Sequence, residues 1–384
     1  MNNAYTSQFM LDPEIHFLNH GSFGACPRPV FEELIAWQTR LERQPVKLLG
    51  REITAEMHTA RASLARLLHC GTDDVVFFPN PTTAINMVVR NLDLIPGDEV
   101  LTTNHEYGAM DRTWRFMADK QGFRYHNLPV PVPVTTHAAF VEHFWAGVTS
   151  STRVIFLSHI TSQTALIFPL KEIIQRAKRA GILTIIDGAH ALGQILLDLD
   201  DLQPDIYTGA CHKWLCAPKG SAYLFADPAI QPMLEPLVVS WGYDSEHPSG
   251  SQFVDYHEWQ GTRDMSPFLS VPAAIRFQQT AEWQAARVKC KEMVQAVRDE
   301  LHALTGLEKI CPDGPEWLGQ MAAIPLPEVD VDVFKARLYD EFRVEVPVYR
   351  WEGQPFLRVS VQAYNTQEDL DALVAGVKAI LHGG

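Results

Sequence analysis

A lysine stands between a histidine and a tryptophan in the run TGACHKWLCAPKG, residues 208–220, with no other charged side chain until Lys219. Lysine is ordinarily a solvated residue, so Lys213, just after an apolar strand-like segment, needs a reason. Beside a desolvated pocket an amine loses proton affinity and becomes a nucleophile toward an aldehyde. Asp187 ends the apolar run ILTIID, where a carboxylate is costly to bury unless it meets a cation or hydrogen-bond donors. A protonated ring nitrogen is one such partner, and the cap of the next turn is another. Pro81, Thr82 and Thr83 follow VVFF and open a helical pattern; free N–H groups at a helix start, with hydroxyls, make a phosphate site. An ordinary helix start explains those three residues by themselves, as a structural histidine explains His190 in DGAH. In combination, a phosphate cradle, a carboxylate for a pyridinium and a lysine for an aldehyde describe pyridoxal phosphate.

Such residues must be brought together by the ends of neighbouring strands. Short β-rich runs occur at 75–78, 99–103, 123–128, 153–159, 182–187, 205–209 and 221–226, alternating in several places with helical patterns. Strands joined through helices form a mostly parallel sheet covered on both faces, and ligands bind beyond the carboxyl ends of its strands. The segments PNPTTAIN, NHEYGA, SHITSQT, DGAH and TGACHK all fall there. Residues 267–305 read as a long helical stretch, broken or bent near Pro272. Beyond about residue 317 come a strand, a helix, the strand RVEVPV, the strand FLRVSVQ and a terminal helix. The fold class is α/β: a large domain with a mostly parallel seven-stranded sheet, then a smaller α+β C-terminal domain. The boundaries read are an N-terminal segment 1–20, a large domain 21–265 and a small domain 266–384.

A chain of 384 residues exceeds the size at which a single core stops growing. Its net charge of −14 argues against nucleic acid or an anionic membrane as the main partner, so an anionic ligand must be held by local chemistry. The N-terminus lacks a basic region followed by an apolar one, and no window approaches a membrane-spanning run; a cytoplasmic protein is expected. The six cysteines are scattered without metal or disulfide spacing, so neither a metal site nor a disulfide framework is expected.

Over nearly its whole length, through FLNHGSFGACP, DGAHALGQ, HKWLCAPKG, GTRD and FLRVSVQAYNTQEDLDAL, the chain resembles fold-type I pyridoxal-phosphate enzymes of the class V aminotransferase group, in the isopenicillin N epimerase-like branch. The resemblance implies Lys213 as the lysine bonded to the cofactor aldehyde and later the proton-shuttling base. It implies Asp187 on the pyridine nitrogen, Thr82, Thr83 and His212 on the phosphate, and Thr262 of GTRD on the same phosphate from a second subunit. A homodimer with shared active sites follows. Tyr107 takes the place of the group that stacks on the cofactor ring, and His190 and Ser162 that of residues touching the ring or its phenolic oxygen. Arg358 of FLRVS matches the arginine that clamps a substrate carboxylate, a task suited to a bidentate guanidinium. Asn19 and His20 fall in the segment that lines the substrate pocket. Arg51 offers either a contact from the partner subunit or a helix-face ion pair. Two departures are Ala165, where many relatives carry glycine, and Cys211 before HK, for which packing competes with a catalytic role.

Removal of the α-proton opens several reactions to such an enzyme. Epimerisation needs a second acid, such as Tyr107, His20 or water, on the face opposite Lys213. β-Elimination from a cysteine conjugate needs only a leaving group, and transamination needs Lys213 to move a proton to the cofactor. The persulfide-forming desulfurases carry a mobile cysteine shortly before the carboxylate arginine; RVEVPVYRWEGQPFLRVS contains none. A non-enzymatic cofactor-binding regulator is disfavoured because both Lys213 and Asp187 are present.

Overall fold

In the computed structural model, which describes residues 4–383, all seven apolar runs join one sheet. The strands are β1 (Val75–Phe78), β2 (Glu99–Thr103), β3 (Arg124–Leu128), β4 (Thr152–Ser158), β5 (Leu183–Asp187), β6 (Ile206–Ala210) and β7 (Ala222–Ala226). Their order across the sheet is β1-β7-β6-β5-β4-β2-β3. Strands β3, β2, β4, β5 and β6 run parallel, and β7 lies antiparallel to both its neighbours. Alternate residues feed the two faces. Val75, Phe77, Leu101, Ile155, Leu157 and Ile186 join one apolar cluster, and Val76, Phe78, Val100, Val154, Phe156 and Ile185 another. Burial on both faces explains why these runs are almost continuously apolar. β3 is the exception, with Arg124, His126 and Asn127, and it lies at the sheet edge.

Helices Pro81–Arg90, Gly108–Gln121, His137–Trp145 and Leu170–Ala180 follow β1, β2, β3 and β4. Two of them start on side-chain caps, the Thr83 N–H donating to Asn80 Oδ1 and the Ala139 N–H to Thr136 Oγ1. Strand order reverses where β2 and β4 meet: β3 lies outward of β2, and β5 and β6 continue beyond β4. That is the switch point at which open parallel sheets bind ligands. The long C-terminal helical stretch breaks at Ser270, two residues before Pro272, and again at Gln279–Thr280. It comprises Ser266–Leu269, Val271–Gln278 and Ala281–Thr305. Pro272 occupies the first turn of the second helix, where its missing N–H costs nothing; Thr280 caps the third. The first two pieces pack on helices Arg28–Arg43 and Ile53–Leu68, neither of which stood out in the sequence.

A second, antiparallel sheet contains β8 (Met321–Pro325), β9 (Val348–Trp351) and β10 (Gln354–Ser360), with β10 in the middle. It shares an apolar cluster with helices Ala281–Thr305, Val331–Phe342 and Gln367–His382. RVEVPV does not form a single strand. Val344–Glu345 pairs in parallel with His16–Phe17 near the N-terminus, and the chain resumes as β9 after Pro347. Proline has no N–H for a ladder, which accounts for the division. The start of the chain is thereby sewn to its end.

Candidate active site

The carboxyl ends of β1, β2, β4, β5 and β6 surround a cavity of about 150 Å³ whose walls include Thr82, Tyr107, Ser162, Asp187, His212 and Lys213. The loop after β6 that carries Lys213 is gripped from beneath. A Cβ on Gly24 would lie 2.0 Å from the His212 carbonyl oxygen and 2.9 Å from the Lys213 Cα, and Gly24 has φ +68. Only glycine fits that approach. His20, fully buried, donates from Nε2 to the Lys213 carbonyl at 3.0 Å and accepts from the Tyr364 hydroxyl at 3.1 Å. Burial pushes His20 down to about 3, so it remains a neutral tether. Lys219 donates to the Gly24 carbonyl at 2.9 Å.

Within the cavity, burial pushes the Lys213 amine down to about 8; the Arg358 charge acts in the same direction and Asp187 opposes it. Asp187 closes β5, 3% exposed, and accepts the Ala189 N–H at 2.9 Å. Its carboxyl is pushed up by burial against the pull of that N–H and of Lys213, the state of an acid that lacks a full cationic partner. His190 Nε2 lies 3.1 Å from Lys213 Nζ, and the Trp214 indole N–H donates to His190 Nδ1 at 3.2 Å. His212 donates from Nδ1 to the Ser221 carbonyl at 2.8 Å and is pushed down to about 4, mainly by burial.

The other sequence candidates divide. Thr82 lines the cavity; Thr83 is engaged with the helix cap, its N–H and hydroxyl both donating to Asn80 Oδ1 at 2.8 and 3.1 Å. Tyr107, half-exposed, stands at the start of helix Gly108–Gln121 and faces the cavity. Arg358, on β10 of the second sheet, is buried behind the cavity wall rather than on it, and is joined to the wall residues Ser162 and Ser22. It donates to the Ser162 carbonyl, to the Ser162 hydroxyl at 3.2 Å and to Ser22 Oγ at 3.0 Å. Its Nε is buried without a partner. Asn19 and His20 do not line the cavity. Asn19 links Glu345 to Ser22, and through Ser22 to Arg358, while His20 holds the Lys213 backbone. Thr262 is exposed on this chain and apart from the cavity, and Arg51 is exposed. Cys211 is fully buried, and its thiol is pushed up by that burial, which suits packing rather than nucleophilic chemistry.

Ser22, Asn80, Trp214 and Glu106 were not read as site residues. Glu106 is buried and accepts from the Thr103 hydroxyl at 2.8 Å and from the Ser158 N–H and hydroxyl at 2.8 and 2.6 Å. It ties the turn carrying Tyr107 to the end of β4, and burial pushes it up to about 8. Its signal was a carboxylate in NHEYGA, directly after an apolar strand.

This set fits pyridoxal phosphate. A helix start faces the cavity for the phosphate, Asp187 awaits a cation, Lys213 has its proton affinity lowered, and the unpartnered Arg358 Nε nearby suits an anion. Residues 26–373 match the family described as aminotransferase class-V. The chain belongs to that family. An isopenicillin N epimerase of Amycolatopsis lactamdurans is 36% identical, covering 97% of each chain. A probable chloroplastic L-cysteine desulfhydrase of Arabidopsis thaliana is 27% identical over 97% of this chain and 84% of its own. Among solved structures, the protein C-DES with glycine covalently linked to its PLP cofactor superposes with a TM-score of 0.81 at 20% identity, over 95% of this chain and 97% of that one. This class-V member is a pyridoxal-phosphate enzyme of fold type I.

Proposed function

We propose that this class-V enzyme inverts the α-carbon of an amino acid, as an isopenicillin N epimerase-like epimerase or racemase. The observation that carries the reading is the placing of two proton carriers around one cavity. Lys213 enters from the end of β6, and Tyr107 enters from beyond β2, with β5 and β4 between them in the sheet. Inversion requires a base on one face of the α-carbon and an acid on the other.

Pyridoxal phosphate, when bound, supplies a conjugated ring that takes up the electron pair left as the α-proton departs. Asp187 holds the ring nitrogen in its protonated state, and Thr82, His212 and the helix start at Pro81 hold the phosphate. Ser162 and His190 contact the ring and its phenolic oxygen. Arg358, behind Ser162 and Ser22, receives the substrate carboxylate on its guanidinium and so fixes which way the α-proton points. Lys213, whose proton affinity burial lowers to about 8, accepts that proton in its neutral form; the Tyr107 hydroxyl delivers one to the opposite face. A homodimer completes the site. Phe23 beside the cavity and Trp241 are 73% and 84% exposed, and Thr262 is free to serve the partner's phosphate site. The division at residues 20 and 265 is part of this proposal, with 266–278 as the connecting layer, and so is a cytoplasmic location. Among the described residues no helix is long and apolar enough to cross a membrane.

A second reading, carbon–sulfur β-lyase, is favoured by the desulfhydrase relative. The desulfurase variant is not, because no cysteine lines the cavity and the segment before Arg358 is folded into paired strands. Proton NMR of the loaded enzyme in deuterium oxide, with L-amino acids and cysteine S-conjugates followed by chiral analysis, tests the two. Deuterium at the α-carbon with inversion and an intact carbon skeleton supports the epimerase. Pyruvate with released thiol overturns it in favour of the lyase.

A further inference from the structure

Trp214 follows the cofactor lysine directly, yet its side chain turns to His190. Its indole is fully buried, packs against the His20 ring at 4.9 Å between centroids, and has its backbone held by Gln278, which donates to the Trp214 carbonyl at 2.7 Å. The direction of its N–H is therefore fixed. An indole nitrogen can donate and never accept, so Nδ1 of His190, 3.2 Å away, carries no proton. A neutral imidazole has one N–H, and here it must be on Nε2. Nε2 lies 3.1 Å from Lys213 Nζ. A protonated Nε2 cannot accept from an ammonium; it can only donate to the lone pair of a free amine.

We propose that Trp214 is a positioning residue that locks His190 in its Nε2–H tautomer and thereby holds Lys213 as an uncharged amine facing the cavity. Functionally this rests on the reading of Lys213 as cofactor lysine and base; the tautomer does not depend on that reading. Other charged or titratable groups act on the pair. Asp187 at the end of β5 favours the ammonium, while Arg358 on β10 and any charge on His212 or His20 oppose it. The lock is directional where these are not, because it removes an acceptor that lies within hydrogen-bond distance of Nζ. With the cofactor attached to Lys213, Trp214 still occupies Nδ1, and the same Nε2–H is left facing the cavity.

The test is nitrogen-15 NMR of full-length, histidine-labelled protein, with and without pyridoxal phosphate, the His190 signals assigned by their absence in His190→Gln. The expected result is the Nε2–H tautomer in both states. A wild-type Nδ1–H tautomer or imidazolium overturns the proposal without any variant. In Trp214→Phe the ring remains and the donor is lost. His190 is then expected to populate the other tautomer, and the pH midpoint of Lys213 modification by an amine reagent to rise by about one unit. An unchanged tautomer and midpoint in that variant overturn the lock. Trp283→Phe controls for loss of indole bulk, since Trp283 is fully buried and its N–H has no partner; it should move neither readout. These measurements need no turnover, so a wrong substrate class leaves them unaffected.

Discussion

Lys213 and Asp187 are perturbed in opposite directions by one cause. Burial penalises each charge, lowering the lysine to about 8 and raising the aspartate. Only a neutral amine attacks an aldehyde, so cofactor uptake by the apoprotein should be slow where Lys213 is protonated. It should rise through about pH 8 and then level off. A rate still climbing steeply near the ordinary lysine value of 10.5 would contradict the burial argument. Asp187→Asn keeps the shape but not the charge. It should retain bound cofactor while lowering turnover by about two to four orders of magnitude; near-normal turnover would remove its assigned role. These two residues were legible because each is a charged group at the end of an apolar run. His20 was legible as important but not in its role, since nothing in NHG says that its ring turns to the Lys213 carbonyl. Glu106 and Trp214 stayed hidden for a related reason: their partners, Ser158 and His190, are distant in sequence.

The strands were readable because two-sided burial writes itself as continuous apolar runs, and the crossover helices because their caps and periodicity agree. What failed depended on pairing. RVEVPV has strand composition throughout, but its two halves find different partners, His16–Phe17 and β10. The turn after β4 offers a sharper test. Ala165 adopts φ +57 and is fully buried among apolar neighbours. The left-handed conformation costs an alanine about 1–2 kcal/mol. Its methyl returns about 0.8 kcal/mol through burial, and a glycine would lose about 0.5–1 kcal/mol of chain entropy. Ala165→Gly should therefore change stability by less than about 1 kcal/mol. Ala165→Val adds β-branching and bulk and should cost more than about 2 kcal/mol. Denaturant midpoints measure both, and a well-tolerated valine would contradict the backbone assignment.

At the scale of the molecule, the site belongs to no single layer. Lys213 and Asp187 come from the large sheet, Arg358 from the second sheet, and Gly24, His20 and Ser22 from the stretch 16–24. That stretch is secured in turn by Val344–Glu345, and through His20 by Tyr364. On the ribosome, residues 16–24 emerge long before the strand that secures them. A nascent chain through residue 320 would already contain the lysine, the aspartate and all seven large-sheet strands. It would lack Glu345, Arg358 and Tyr364, leaving His20 and Asn19 without their anchors and the lysine loop unclamped. Such a chain, made to length and treated with pyridoxal phosphate and borohydride, should fix far less cofactor at Lys213 than the full protein; equal labelling would show that the loop sets its own shape. If labelling falls as expected, pairing His16–Phe17 with Val344–Glu345 makes loading a late event, a checkpoint at which an unfinished polypeptide remains chemically silent.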